Sequence, residues 1–488
     1  MSMTPVRFVL FTLSLAVSMA PLRAAFRAGA FAQDISPTVF PAPVNGSMKA
    51  NFAKGVNDPM HARVLALHDG SRALVFCVID ACMVPREVVA EAKRLVQAEA
   101  GVRPEDILIS ATHTHSAATL APVFQSDEDP AYVRAVPALI AKGVLQALRN
   151  LEPAEIGWAF GSDPSQVFNR RWWVKAGADY ENPFGGRADR AWMNPGQANP
   201  KASVPMGPVD PDVAVLAVRA AADKRPLGLL ANYSLHYVGG NPSISADYFG
   251  EFARELARRL EPAGPLPGRP AFVGIMSNGT SGDINNVNFA LPGRLNRAPG
   301  EQIRLVARSV ADAAMSAYGA IKWQAGLALD SEAAELELGV RKATAEELRQ
   351  ARLTLEKTPR DKDGQFSDRK AIYAREAVKL ADYPDRVTVP LQVHRVGALS
   401  IASIPCEVFV EIGLRLKRTT PFERHFTVSL GNGYNGYLPT AEHHAAGGYE
   451  TWRARSSYLE VAAAEKITTR LEQILSTLHA RAARNGGK

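Results

Sequence analysis

The order of short apolar runs and a helical segment near the N-terminus most restricts the fold. Residues 62–68 and 73–79 are rich in Val and Leu, and the Asp69-Gly70 pair between them is a strong turn signal, so they are predicted to form a hairpin. Residues 85–100 then show helical spacing behind a proline, and residues 106–110 form another short apolar run. A strand, a helix and a further strand in this order predict an α/β fold.

The rest of the chain continues this pattern, so we expect one large domain over residues 33–488, with mixed sheets flanked by helices. Residues 344–383 are highly charged and helix-forming, which is typical of a solvated helical excursion, and residues 457–483 are expected to form the final helix. Further strands are expected at 155–160, 213–218, 229–235, 270–276, 386–404 and 426–430, and further helices at 131–148, 248–260, 301–321 and 407–417.

The first residues have the composition of an export signal. Arg7 precedes the largely apolar segment 8–22, which is too short to cross a bilayer comfortably, and Ala30-Phe31-Ala32 offers a small-x-small cleavage site. Residues 1–32 are therefore expected to be a signal peptide, and the mature protein to be periplasmic or secreted. An uncleaved membrane anchor is the alternative. We expect no later transmembrane segment, and at most peripheral contact with a membrane.

Composition and charge narrow the choice of partners. The chain has 488 residues, of which 47% are hydrophobic and 22% charged, as is ordinary for a globular protein. Its formal net charge is +7, but no dense cluster of Lys and Arg is interleaved with aromatic residues, so we expect no nucleic-acid partner. The three cysteines, Cys77, Cys82 and Cys406, leave at least one free thiol, and a Cys77–Cys82 disulfide is an alternative to three free thiols.

Polar clusters follow several of the predicted strands, where function tends to gather in α/β folds. The first is Thr112-His113-Thr114-His115-Ser116, directly after the strand that ends at Ser110. If the extended backbone continues, His113 and His115 point to the same side, because side chains alternate along a strand. Neutral imidazole is a common metal ligand. Alternatively, one of these histidines is buried and hydrogen-bonded and the other lies on the surface.

Further strand ends carry groups of the same kind, at His236, at Glu407, and at Tyr434 and Tyr437 within a glycine-rich segment. The small residues of segment 277–286 would let the backbone approach a ligand closely. Each cluster also has a structural interpretation, such as a carboxylate that complements a helix dipole. Together, two or three histidines, a glutamate and a tyrosine make a suitable zinc site with room for water.

In their order along the chain and in their local sequence, these clusters resemble motifs of the neutral, non-lysosomal ceramidase family. Segment 112–116 is similar to the family's first zinc-ligand motif, and His236, followed by Ser245-Ala246-Asp247, stands where the family has its second histidine ligand. Glu407 matches the carboxylate ligand, and segment 432–437 is similar to the segment that gives a tyrosine ligand. The resemblance covers roughly Asp34 to Glu450 and also includes Asp34 to Pro37, Pro43 to Met48 and Asn169-Arg170.

The resemblance implies a ceramidase-like catalytic domain that cleaves the amide bond of ceramide, or of a related N-acyl lipid, by metal-activated water. It implies one zinc ion per chain, on His113, His236, Glu407 and Tyr434, with His115 and Tyr437 as alternatives to His113 and Tyr434. The implied catalytic residues are His115, Arg170, Asp283, Asn285 and Tyr437, and the implied substrate-binding residues are Ser47, Ser281 and Trp172. The Trp172 ring has packing on the core as its alternative.

The sequence departs from the family in two places. The family's Gly-Asp-x-Ser loop reads Gly282-Asp283-Ile284-Asn285 here, so asparagine stands at the position of the catalytic serine. Asn285 cannot form an acyl-enzyme, and we therefore expect no covalent acyl intermediate. The chain also ends soon after its last predicted helix, so we expect the family's C-terminal β-sandwich domain to be missing. The alternatives are a binding protein without catalytic activity and an amidase or esterase for a smaller substrate.

Overall fold

The computed structural model describes residues 25–178, 180–241, 243–293 and 297–486, and its elements confirm a mixed α/β fold. The helices are α1 (Arg86–Ala100), α2 (Pro130–Arg149), α3 (Asp247–Leu260), α4 (Glu301–Gly319), α5 (Ala345–Lys357), α6 (Arg369–Ala381), α7 (Val410–Thr419), α8 (Ala441–Ala446) and α9 (Ala463–Gly486). The strands are β1 (Arg27–Asp34), β2 (Ala42–Val44), β3 (Asn51–Ala53), β4 (His61–His68), β5 (Ala73–Ile79), β6 (Ile107–Ala111), β7 (Glu152–Ser162), β8 (Phe168–Asn169), β9 (Arg171–Val174), β10 (Ala191–Met193), β11 (Ala202–Pro205), β12 (Asp212–Ala220), β13 (Pro226–Tyr233), β14 (Val273–Asn278), β15 (Ile284–Asn285), β16 (Leu329–Gly339), β17 (Arg386–Val396), β18 (Leu399–Ile404), β19 (Glu407–Val408), β20 (Arg424–Ser429) and β21 (Tyr437–Leu438).

Two mixed sheets form the centre of the molecule. The larger has eight strands in the order β14-β13-β12-β7-β1-β4-β5-β6, and the smaller has four in the order β16-β17-β18-β20. The predicted hairpin is confirmed, because β4 and β5 pair antiparallel on either side of the Asp69-Gly70 turn. The predicted strand, helix and strand are confirmed as well, because β5 pairs parallel with β6 across α1.

Strand periodicity explains how the two sheets pack. Side chains alternate between the faces of a strand, so β4 and β5 contribute to two cores. Val64 and Val75 pack with residues of α1 and α2, whereas Leu65 and Phe76 pack with residues of the smaller sheet such as Ile401. The far side of the smaller sheet packs against α7 and α9. The layers are therefore helix, sheet, sheet and helix.

The charged segment 344–383 forms α5 and α6, but only α5 matches the prediction of a solvated helix. Ala351 is the buried residue of α5, whereas Ile372, Tyr373 and Leu380 of α6 are among several buried side chains. The final helix begins at Ala463 rather than at Ser457. A helix over 407–417 was also expected, and Glu407 lies instead in β19, just before α7.

The expected cleavage site falls inside a strand. Every residue of β1, from Arg27 to Asp34, pairs with β4, and Phe26, Ala28 and Ala30 are buried. Removal of residues up to Ala32 would take most of a central strand out of the larger sheet. The segment expected to form the apolar core of a signal peptide, residues 8–22, lies outside the described residues.

One described helix, α2, has the length and hydropathy that a membrane span requires, and it lies in the core beside α1 and β1. Half of its most apolar stretch of 18 residues is buried, and Val136, Ile140 and Val144 pack in the core shared with α1. Cys77, Cys82 and Cys406 all lie in the described part of the chain, where they are buried free thiols. The structure therefore contains no disulfide between Cys77 and Cys82, which was the alternative.

Candidate metal centre

The polar clusters that follow β6, β13, β14 and β18 meet at one place. The Nδ2 of Asn278, at the end of β14, donates to the carbonyl of Thr112 at 3.1 Å. The backbone amide of Gly282 donates to the carbonyl of Val408 at 2.8 Å, and Glu407 pairs in register with Tyr437. Strand ends of both sheets therefore hold the predicted site residues together.

Three histidines in this cluster each use Nδ1 to donate to a backbone carbonyl. His113 Nδ1 lies 2.7 Å from the carbonyl oxygen of Cys82, and His236 Nδ1 lies 3.0 Å from that of Ser281. His115 Nδ1 lies 3.0 Å from the carbonyl oxygen of Gly46. Because a carbonyl can only accept, Nδ1 carries the proton in each ring. Each ring therefore turns its Nε2 toward the cluster, as metal-binding histidines do. Burial lowers the pKa of His236 well below its usual value, whereas the pKa of His113 is raised, despite burial, by the neighbouring Cys82 and Glu407.

These Nε2 atoms point at one another and at a carboxylate. His113 Nε2 lies 3.0 Å from His236 Nε2, 3.2 Å from His115 Nε2 and 3.2 Å from Glu407 Oε2. Glu407 Oε2 is buried and has no hydrogen-bond donor among the described residues. Lone pairs this close repel one another unless a proton or a cation lies between them. The donor set of two or three imidazoles and one carboxylate fits zinc.

The distances favour His113 over His115 as the ligand. Ligand atoms of His113, His236 and Glu407 all lie within 4.8 Å of one another, whereas His115 groups with His113 and Cys82. The ring of His115 stacks on Tyr237, with centroids 3.6 Å apart. Burial and the neighbouring His113 lower the pKa of His115 well below its usual value. His115 is thus a neutral ring beside the proposed ligands.

The backbone reaches His113 by a different route from the expected one. The strand β6 ends at Ala111, and His113 has a φ of 74°, in the left-handed region that few residues other than glycine adopt. Its amide donates to the carbonyl of Ala81 at 2.8 Å, which helps to hold this conformation. Alternation along an extended strand was therefore the wrong reason for expecting His113 and His115 together. Such strain is often found at functional sites.

The two tyrosines occupy different positions around Glu407. The Tyr434 hydroxyl donates to Glu407 Oε1 at 3.1 Å. The ring of Tyr437 instead lies against the guanidinium of Arg170, with Cζ 5.5 Å from the ring centroid. Burial, followed by the charge of Glu407, raises the pKa of both hydroxyls. Tyr434 is therefore the tyrosine that shares the carboxylate of the proposed ligand set.

Arg170 is buried and reaches the centre from the loop after β8. Its Nη1 lies 3.3 Å from His236 Nε2, and its Nη2 donates to the carbonyl of Gly282 at 2.7 Å. Its Nε donates to Glu450 at 3.1 Å, and Glu450 also pairs with the buried Arg171. Sequence reasoning missed Glu450, because no local pattern links it to an arginine so far away in the chain.

Asp283 supports the loops rather than the imidazole cluster. Its carboxylate accepts from Asn169 Nδ2 at 2.8 Å and from the Val410 amide at 3.0 Å. It also lies with Glu411 and His443 in a second group of ligand-type atoms. Burial raises the pKa of Asp283 to about 6 and that of Glu411 to about 8. Raised pKa values in two adjacent carboxyls favour a proton on one of them.

The other predicted residues contact loops. Asn285 Nδ2 donates to Asn194 Oδ1 at 2.8 Å, and Ser281 Oγ donates to Asn278 Oδ1 at 2.7 Å. The hydroxyl of Ser47 accepts from the Lys49 amide at 3.2 Å. The ring of Trp172 packs with Ala202 and Phe289, which is the packing alternative given for it. The described contacts leave the substrate roles of Ser47, Ser281 and Trp172 as predictions.

Comparison with known proteins supports the resemblance at the level of the fold. No protein-family model matches the sequence. The neutral ceramidase from Pseudomonas aeruginosa superposes with a TM-score of 0.69 at 17% identity, over 94% of this chain and 75% of that chain. A ceramidase complexed with C2 superposes with a TM-score of 0.67 at 16% identity, over 94% of this chain and 76% of that chain. The described chain therefore has the fold of the neutral ceramidases.

Proposed function

We propose that this protein is a metal-dependent amide hydrolase that acts on ceramide or a related N-acyl lipid. The observation that carries the proposal is the approach of the Nε2 atoms of His113, at 3.2 Å, and His236, at 3.9 Å, to Glu407 Oε2, which accepts no hydrogen bond from the described residues. The neutral ceramidase fold supports the choice of an N-acyl lipid as substrate.

The ligand set we propose for one zinc ion is His113, His236, Glu407 and Tyr434. Bound zinc would polarise the amide carbonyl and lower the pKa of water to about 7. The Nε2 of His115, a ring that burial and the neighbouring His113 keep neutral, lies next to this set and can accept a proton. The Arg170 guanidinium, oriented by Glu450 and Gly282, can donate to negative charge that develops on the carbonyl oxygen.

We propose that the reaction forms no acyl-enzyme. Asn285 has an amide in place of a nucleophilic hydroxyl, and its side chain is hydrogen-bonded to Asn194. Ser281 is buried, and its hydroxyl donates to Asn278. Water is then the nucleophile, and the amide nitrogen leaves with a proton relayed from His115.

Metal content and hydrolysis measured on the same protein test this function. His236→Ala should lose both bound zinc and hydrolysis of a fluorescent ceramide, because it removes one imidazole from the set. His479→Ala, at an exposed histidine on α9, is the matched control and should keep both. Full zinc stoichiometry in His236→Ala would contradict the ligand set. Hydrolysis of short N-acyl amides but not of ceramide would favour the amidase alternative.

We also propose that the protein is exported, with cleavage upstream of Phe26. The strand β1 begins at Arg27 and pairs along its whole length with β4, so a mature chain that begins at Gln33 would lack most of this strand. The expected destination remains periplasmic or secreted.

A further inference from the structure

A cavity of about 440 Å³ lies between α1 and the strands β16 and β17. Apolar parts of its wall come from Val89, Ala90, Ala333 and Pro390, and Lys93 of α1 is also in the wall. Small-molecule sites are typically roughly 300–1,000 Å³ in volume and mostly apolar, with a few placed polar groups. The proposed metal ligands do not line this cavity, so it is a different site.

Lys93 differs from the other charged residues around the cavity in its pairing. It forms no ion pair or hydrogen bond with any residue in the described ranges, and the nearby charge that acts on it is that of Glu105. The other charged residues are paired: Arg86 with Glu335, Arg94 with Glu91, and Glu105 with Arg103. The cavity therefore offers one cation without a close counter-ion.

The surroundings of Lys93 disfavour its charged form. Burial lowers the pKa of Lys93 to about 7, although Glu105 acts in the opposite direction. His394, which faces it from β17, stays neutral because burial, with Lys93 as a further cause, lowers its pKa to about 3. Arg86 and Arg94 lie on the same helix. An anion next to Nζ would favour the charged ammonium and raise its pKa.

We propose that this cavity binds a monoanionic amphiphile, a carboxylate with a short acyl chain, whose headgroup pairs with Nζ of Lys93. Its chain would lie along the apolar wall formed by Ala90, Ala333 and Pro390. A single cation matches a single negative charge. A phosphate dianion would place its second charge close to Glu105 and Glu335, which also border the cavity. This binding site goes beyond the proposed hydrolase activity.

Calorimetric titration with octanoate tests the site. His236→Ala serves as the parent protein, because it removes a ligand from the metal centre that could itself bind a carboxylate. Lys93→Met should weaken octanoate binding about tenfold or more, since a charge-assisted hydrogen bond contributes about 1.5–3 kcal/mol. The matched control, Lys142→Met at an exposed lysine of α2, should bind as the parent does. Octanol, which lacks the charge, should bind more weakly than octanoate, and with equal affinity to the parent, Lys93→Met and Lys142→Met.

Two further measurements keep the test decisive. Ala333→Trp should abolish binding by filling the cavity from β16, because Ala333 lies on the same face of that strand as Glu335, which pairs with Arg86 of α1. At pH 8 octanoate binding should be accompanied by uptake of nearly one proton, seen as a dependence of the heat on the buffer, because Lys93 is mostly neutral there before binding. Equal octanoate affinity in Lys93→Met and its parent would overturn the proposal. So would binding to wild type that is lost in His236→Ala. Neither outcome depends on whether the protein hydrolyses amides.

Discussion

At the scale of single residues, three backbone carbonyls decide what the histidines can do. The carbonyls of Cys82, Ser281 and Gly46 accept from Nδ1 of His113, His236 and His115, which turns each Nε2 toward Glu407 and the other rings. Such supporting hydrogen bonds are a general feature of metal-binding histidines. Backbone carbonyls have no signature in the sequence, so the tautomers could not have been predicted from it.

Glu450 is the buried counter-ion of two arginines, and its removal should be costly. Glu450→Gln keeps the shape of the side chain but leaves Arg170 and Arg171 buried without their negative partner. We expect the free energy of unfolding to fall by about 3 kcal/mol, as when one partner of a buried ion pair is removed. Urea denaturation followed by circular dichroism measures it.

An exposed ion pair supplies the control for Glu450→Gln. Glu99 pairs with Arg149 at 2.7 Å, with more than half of each side chain exposed. Glu99→Gln should change the free energy of unfolding by less than about 1 kcal/mol, because water already screens that pair. Equal changes in the two variants would mean that Glu450 does not neutralise buried charge.

At the scale of elements, the loops after strands set the position of the site, and Gly46 is a sensitive point. Its φ is 104°, and a Cβ added there would lie 2.4 Å from the ring of His115. Gly46→Ala should therefore displace His115 and lower kcat/KM for ceramide by about tenfold or more, since small misplacements of catalytic groups slow reactions strongly. Steady-state kinetics measure this change.

Gly101→Ala is the control for Gly46→Ala. It separates the effect of backbone strain from the effect of displacing the His115 ring. Gly101 also has a positive φ, 67°, but a Cβ there would meet open space. Both variants should lose roughly 1 kcal/mol of stability from the unfavourable φ. Only Gly46→Ala should lose activity. If both variants kept full kcat/KM, His115 would have no part in the reaction.

The segment 344–383 shows why charge patterns mislead at this scale. Glu376 of α6 is fully buried because it pairs with Arg455, from which its carboxylate lies 2.7 Å away. The two residues are distant in sequence. The charge pattern of α6 alone therefore predicts that Glu376 is exposed to solvent. Only the contact with Arg455 explains why it is buried.

At the scale of the whole molecule, the site depends on the packing of the two sheets. The histidines follow strands of the larger sheet, whereas Glu407 and Tyr434 follow strands of the smaller one. The contact between the sheets is apolar and includes Leu65, Phe76 and Ile401. The proposed ligand set is thus complete only when the two sheets pack face to face.

The position of β1 in the middle of the larger sheet leads to a prediction about the mature N-terminus. Protein recovered from outside the cytoplasm should begin at or before Phe26, as intact mass and N-terminal sequencing would show. A chain made to begin at Gln33 should be insoluble or unfold at a markedly lower temperature than one that begins at Phe26, because β4 and β7 would lose their neighbour. A natural mature chain that begins at Gln33 and unfolds at the same temperature as a chain that begins at Phe26 would contradict this interpretation.

The sequence by itself determined the local features: the β4–β5 hairpin, the strand, helix and strand around α1, and the polar clusters at strand ends. These follow from hydrophobic period and turn chemistry, which act over a few residues. Only the tertiary structure decided that His113 adopts a positive φ, that Tyr434 rather than Tyr437 donates its hydroxyl to the Glu407 carboxylate, and that β1 belongs to the sheet. Those outcomes depend on contacts between residues far apart in the chain, and local periodicity carries no information about such contacts.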